Sequence, residues 1–344
     1  MIPAIFGLSG PHLTADERAF FREADPAGYI LFGRNCDNPH QLRALTDELR
    51  SIHGRDHLLV SIDQEGGRVA RLRPPHWSAY PAGEAFARLY DLAPASAISA
   101  ARANATAMAL ELSAMGITVD YHPPLDLRVA GAHDVIGDRA FGTDPMQVAA
   151  LGRAVLEGLA AGRVAGCIKH MPGHGRSAVD SHKALPTVSA TVAELEADLA
   201  PFRTLAHAKI GMTGHLLFPA WDAENPATLS PTIISDVIRG QIGFEGLLLT
   251  DDIDMEALGG TIPERAARAH RAGCDLILNC WAKMDDMQGI CAALPTMPPV
   301  TAARLDRALA GTRVAPGIVF DAAEFLAKRD ALLALAGTRG GALA

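Results

Sequence analysis

Asp251 directly follows the apolar run Leu247-Leu248-Leu249-Thr250. An acid placed straight after a buried strand is held rigidly at low dielectric, as a carboxylate nucleophile or a stabiliser of developing positive charge requires. The competing reading is a cap for the next helix, a role that suits Asp252 better. Asp251, Asp252 and Asp254 also resemble the opening of a calcium loop, but the remaining ligands and the turn glycine are missing. A further concentration of chemistry lies in the segment 169–182, KHMPGHGRSAVDSH, which carries Lys169, His170, His174, Asp180 and His182 around the flexible Gly173 and Gly175. Histidine moves protons near neutral pH, and a nearby acid fixes its tautomer and raises its basicity. Asp180 and His182, two apart on an extended loop, can form such a pair. The same stretch admits a zinc site built from His170, His174, Asp180 and His182, although the spacing fits no compact zinc motif and Lys169 would bring a cation close. A loop with surface histidines is the plain alternative.

Asp63, Arg71 and Arg139 are the candidate substrate clamps. Arg139 lies in the apolar, glycine-bounded segment 135–142, from where a guanidinium can fork onto vicinal hydroxyls or a carboxylate, or simply tie the loop to backbone carbonyls. Arg68 is expected to pair with Glu65. His122, His133 and His215 are expected to be core or rim histidines rather than catalytic groups.

These residues need a scaffold that brings them together. Apolar runs rich in Ile, Val and Leu fall at 4–8, 28–32, 58–62, 118–122, 166–169, 210–214, 247–250 and 276–279. Their continuous apolar character suits strands covered on both faces, and their number suits an eight-stranded α/β barrel. Helical patterns alternate with them. Thr14 with Glu17 and Thr191 with Glu194 form capping-box pairs, and Asn38-Pro39 and Asp144-Pro145 place a cap before a first-turn proline. Gly54, Gly116, Gly162, Gly240 and Gly273 are expected stops. The Ala-rich stretch 96–115 reads as the longest helix, and 302–310 and 323–335 read as closing helices. The fold class is therefore α/β, a single (β/α)8 TIM barrel with short C-terminal closing helices. One catalytic domain is expected over 1–344, with the motif-bearing core at about 28–282 and the closing helices at about 300–336. In such a barrel function sits at the carboxyl ends of strands, and the acids, lysine and histidines above cluster at that edge.

The bulk properties narrow the options. The formal charge of −8 argues against a nucleic-acid partner. The 5 cysteines, without a CxxC pair, read as free thiols in a reducing compartment. The N-terminus shows no signal-peptide pattern and no run is long enough to span a membrane. A cytoplasmic monomer that needs no metal or other cofactor is the expectation.

At the motifs 61–69 (SIDQEGGRV), 135–141 (VIGDRAF), 169–182 and 250–255 (TDDIDM) the chain resembles glycoside hydrolase family 3, and within it the single-domain β-N-acetylglucosaminidases of bacterial cell-wall recycling. The resemblance spans roughly 28–255 and implies Asp251 as nucleophile, His182 as general acid/base and Asp180 as its partner. It also implies that Asp63, Arg71, Arg139, Lys169 and His170 bind the sugar, and that the substrate is a sugar or muropeptide. A phosphorylase or β-glucosidase on the same site, a zinc-dependent hydrolase and a non-catalytic sugar-binding barrel remain as alternatives.

Overall fold

The computed structural model describes residues 1–177, 185–318 and 321–338. Eight parallel strands close on themselves in chain order: β1 (Ile2–Gly7), β2 (Pro26–Leu31), β3 (Leu59–Ile62), β4 (Val119–Asp120), β5 (Ala165–Met171), β6 (Ile210–Thr213), β7 (Leu247–Asp252) and β8 (Leu276–Asn279). β8 pairs back onto β1 through Ile5 and Leu278. The TIM barrel expected from the apolar runs is the fold observed. β4 is shorter than the apolar run because Pro123 and Pro124 follow it, and proline has no N–H to continue a ladder.

Helices alternate with the strands and begin where short polar side chains stand. Thr14 and Thr191 form the expected capping boxes, and Asn38 and Asp144 cap the helices Pro39–His53 and Pro145–Ala161. The longest, Pro94–Ala114, covers the expected Ala-rich stretch. One expected stop is corrected: Gly240 lies inside the π-helical segment Ile233–Gln241, and the chain turns instead at Gly243, which takes φ +76°.

Side-chain alternation along each strand divides the core in two. One set packs outward under the helices. The other fills the barrel: Leu59, Val119, Tyr121, Cys167, Ile210, Met212, Leu247, Leu249, Leu276 and Leu278 point inward. The helix Pro299–Leu309 adds Leu305, Ala308 and Leu309 to this inner cluster. It is pinned where β8 begins, since Asp275 accepts from Thr301 Oγ1 and Arg304 Nη1, each at 3.0 Å. The first closing helix therefore plugs the amino-terminal end of the barrel.

Candidate active site

The inward columns end in charge. Two residues above Ser61 stands Asp63, two above Cys167 stands Lys169, and two above Leu249 stands Asp251. Period-two alternation thus delivers an acid, a base and an acid to one level of the barrel mouth. Two of these positions are also irregular. Ile168–Met171 of β5 spans one residue more than its partners Gly211–Thr213 on β6, and Leu249–Asp252 of β7 one more than Leu276–Leu278 on β8. Such bulges re-aim side chains at barrel rims. On β5 the irregularity carries Lys169 and His170, joined by a cis peptide, and both side chains line the same cavity.

That cavity has a volume of about 980 Å³. Its floor and one wall hold a buried ion network. Lys169 Nζ lies 3.0 Å from Asp63 Oδ1 and 2.7 Å from Glu65 Oε1. Arg139 forks onto Glu65 through Nε and Nη2, at 2.8 and 2.7 Å. Arg71 Nη2 donates to Asp63 Oδ2 at 3.1 Å. Burial alone would push both carboxyls up, but Lys169 and Arg71 hold Asp63 below its usual value, and Arg139 and Lys169 hold Glu65 well below. Lys169 shifts the opposite way, its charge favoured by Glu65 and Asp63 against the cost of burial. Each Asp63 oxygen meets one cation, which leaves it able to accept from a hydroxyl as well. Arg71 Nε is buried and has no hydrogen-bond partner among the described residues.

His170 is oriented from behind. Its Nδ1 lies 2.7 Å from Asp126 Oδ2, and Asp126 Oδ1 accepts the backbone N–H groups of His170 and His174. Burial would raise the Asp126 carboxyl, yet His170 beside it brings the net shift down. Asp120 and His122 are buried and form no direct ion pair among the described residues: burial, only partly offset by Lys169 and Glu65 respectively, raises Asp120 well above the carboxylate range and lowers His122 to about 4.

Asp251 stands half-buried at the carboxyl end of β7 and lines the cavity, its Oδ1 accepting from the backbone N–H of Asp252 at 2.8 Å. The neighbouring acids serve backbone. Asp252 Oδ1 accepts from Cys280 N, and Asp254 Oδ2 accepts from Asn279 Nδ2, Cys280 N and Trp281 N. Burial, with Asp254 next to it, raises Asp252 well above an ordinary carboxyl.

Asp63, Arg71, Arg139, Lys169, His170 and Asp251 therefore meet on one cavity. Asp180 and His182 lie outside the described residues. The chain that leads to them is tied to the cavity rim, because His133, a lining residue, donates its N–H to Ser177 O at 2.7 Å. Some sequence expectations need correction. Arg68 pairs with Asp138 at 2.8 Å instead of Glu65, whose oxygens Arg139 and Lys169 already occupy. Asp252 caps no helix, because turns follow β7. His215, in contrast, is the core residue expected, bonded to Thr228 Oγ1 and Asp252 O. Asp126 escaped notice as a partner of His170; its rim position just beyond β4 was the available signal. Phe32, Arg34 and Trp281 also line the cavity, and nothing in their local pattern marked them. No group of three His, Cys, Asp or Glu side chains able to hold a metal occurs among the described residues.

Residues 8–315 match the glycosyl hydrolase family 3 N-terminal domain. The chain is 40% identical over 310 residues to a beta-hexosaminidase of Alkalilimnicola ehrlichii, covering 89% of this chain and 88% of that one. It is similar to a structure of NagZ from Neisseria gonorrhoeae in complex with N-trifluoroacetyl-D-glucosamine, at a TM-score of 0.86 and 33% identity, covering 97% of this chain and 98% of that one. It is also similar to a family 3 beta-N-acetylglucosaminidase from Paenibacillus, at a TM-score of 0.79 and 32% identity, but 99% of this chain there covers 62% of the other.

Proposed function

Because the chain belongs to glycosyl hydrolase family 3, we propose that it is a β-hexosaminidase that removes a terminal β-linked N-acetylglucosamine with retention of configuration. The observation that carries this reading is the convergence of Asp251 with Asp63, Arg71, Lys169 and His170 on one cavity. Asp63 and Arg71 supply an acceptor and a donor for sugar hydroxyls, Lys169 adds a donor, and His170 presents its ring edge beside them. Glu65 holds Lys169 and Arg139 in position, so that Arg139 supports this wall through Glu65.

In the first step the Asp251 carboxylate attacks the anomeric carbon while His182, as imidazolium, protonates the departing oxygen. The glycosidic bond breaks as the ester bond to Asp251 forms. In the second step neutral His182 takes a proton from water, which attacks the anomeric carbon and releases Asp251. Asp180 orients His182 and stabilises its charged form. Retaining glycosidases generally use two carboxyl groups, and here a histidine takes the acid/base part. The barrel is a single catalytic domain in this reading. It acts as a cytoplasmic monomer on sugar-terminated wall fragments such as anhydro-muropeptides during cell-wall recycling. Among the described residues no helix is long and apolar enough to cross a membrane.

The test is to treat the protein with a fluorosugar inactivator of the N-acetylglucosamine series and locate the adduct by mass spectrometry. A glycosyl ester on Asp251 is expected. An adduct elsewhere, or near-normal turnover by Asp251→Ala, overturns the reading. His182→Ala is expected to spare the first step for substrates with good leaving groups and to stall the second. Comparing p-nitrophenyl N-acetylglucosaminide with the glucoside, with and without phosphate, identifies sugar and acceptor. Activity that survives a chelator removes the zinc alternative.

A further inference from the structure

Trp281 is 62% exposed, yet it lines the same cavity as Asp251. An indole left in water contributes little to folding, and what sets this one apart from a scattered surface residue is its place on the cavity wall. The segment that carries it is held firmly. Cys280 N donates to both Asp252 Oδ1 and Asp254 Oδ2, at 3.2 and 3.1 Å, and Trp281 N donates to Asp254 Oδ2 at 3.3 Å. Arg34 Nη2 donates to Cys280 O at 2.5 Å. Gly7 of β1 comes so close that a Cβ there would lie 2.2 Å from Cys280 O. Ala282 then adopts φ +56°, a conformation disfavoured for a side chain with Cβ. The left-handed turn at Ala282 separates Trp281 from Lys283, and both line the cavity. Two acids, one arginine, a close backbone contact and an unfavourable dihedral thus fix a backbone whose side chain remains in solvent.

The position of this indole relative to the reaction follows from the strand order. β7 and β8 are neighbours, and Cys280 is bonded to Asp252, the residue after Asp251. In the strand register Asp252 is level with Leu278, so Trp281 lies three residues beyond that level, toward the mouth. At about 980 Å³ the cavity is at the upper end of the range of about 300–1,000 Å³ for small-molecule sites, which leaves room beyond one sugar ring.

Resting on the hydrolase reading above, we infer that Trp281 is the stacking platform for the leaving-group sugar. The pyranose ring bonded to the departing oxygen lies with its C–H face against the indole, on the outer side of the Asp251 level. The rigid anchoring sets the angle at which the glycosidic oxygen enters, so the residue governs preference among aglycones.

The experiment compares β-N-acetylglucosaminyl fluoride, whose leaving group has no ring, with the β-linked disaccharide of N-acetylglucosamine. In Trp281→Ala the ratio of kcat/KM for disaccharide over fluoride is expected to fall about tenfold, the effect of losing one aromatic stacking contact. Trp281→Phe should restore most of it. Met146→Ala, which removes another exposed apolar side chain on the helix Pro145–Ala161, should leave the ratio at the wild-type value. A ratio unchanged in Trp281→Ala, or a loss that Trp281→Phe does not rescue, overturns the inference. If the wild-type protein cleaves neither substrate, the hydrolase reading itself fails, and the two failures are thereby told apart.

Discussion

Glu65 holds Lys169 and Arg139 at once, with its side chain only 3% exposed. A buried charge that loses its partner costs about 3–5 kcal/mol. Glu65→Gln keeps the shape but removes the negative charge, leaving Arg139 uncompensated and Lys169 with Asp63 alone. A loss of about 3 kcal/mol or more in urea unfolding is expected, together with reduced turnover, as the wall proposed to meet the sugar loosens. A change below about 1 kcal/mol would show that the network is electrostatically idle. At this scale the sequence was informative about residue types and weak about pairings. Asp63, Lys169 and Asp251 were legible because each follows an apolar run at inward register. The assignment of Arg68 to Glu65 failed because nearness along the chain is a poor guide to partners: Arg139 and Lys169 reach Glu65 from other elements.

At the level of elements, the bulges in β5 and β7 do what regular strands cannot. Strict alternation would send His170 outward, away from the cavity that it lines. No sequence pattern announced the extra residues, because a bulge inside an apolar run changes pairing without changing composition. The loop beyond β5 is constrained just as closely. A Cβ on Gly175 would lie 2.0 Å from Leu127 O, a backbone atom that cannot swing aside. Gly175→Ala must therefore displace the chain leading toward Asp180 and His182. A misplacement of about 1 Å can cost a hundredfold in rate. Turnover by Gly175→Ala is expected to fall by about that factor, with a stability loss of about 1–3 kcal/mol. Wild-type kcat in this variant would mean that the loop tolerates the shift and that its approach to Leu127 does not matter for catalysis.

For the whole molecule, the buried titratable groups set how stability varies with pH. His122 is lowered by burial from 6.5 to about 4, and His174 is lowered to about 4 by burial and then by His170. Between those values the unfolded chain binds protons that the folded chain does not, so stability is lost as pH falls from 6.5 toward 4. Asp120 and Asp252, raised by burial, act in the opposite direction and gain stability as pH falls through their raised values. His122→Asn removes one proton from the first group. The slope of unfolding free energy against pH in that window should flatten by up to about 1.4 kcal/mol per pH unit. Parallel curves for variant and wild type would show that His122 is not held neutral. The barrel itself was readable from eight apolar runs, because strands covered on both faces leave that signature. The plugging role of the helix Pro299–Leu309 was not, since a short amphipathic pattern does not say which end of a barrel it meets.

That plug and the filled interior above it make the site a cul-de-sac. Among the described residues the barrel is closed from below, so in the hydrolase reading incoming glycoside, departing aglycone, attacking water and the released sugar share the carboxyl-terminal mouth. The order of events follows from this. In the retaining reading proposed above, the aglycone has to vacate before water can reach the ester on Asp251, and an alcohol waiting at the threshold competes with water for the same carbon.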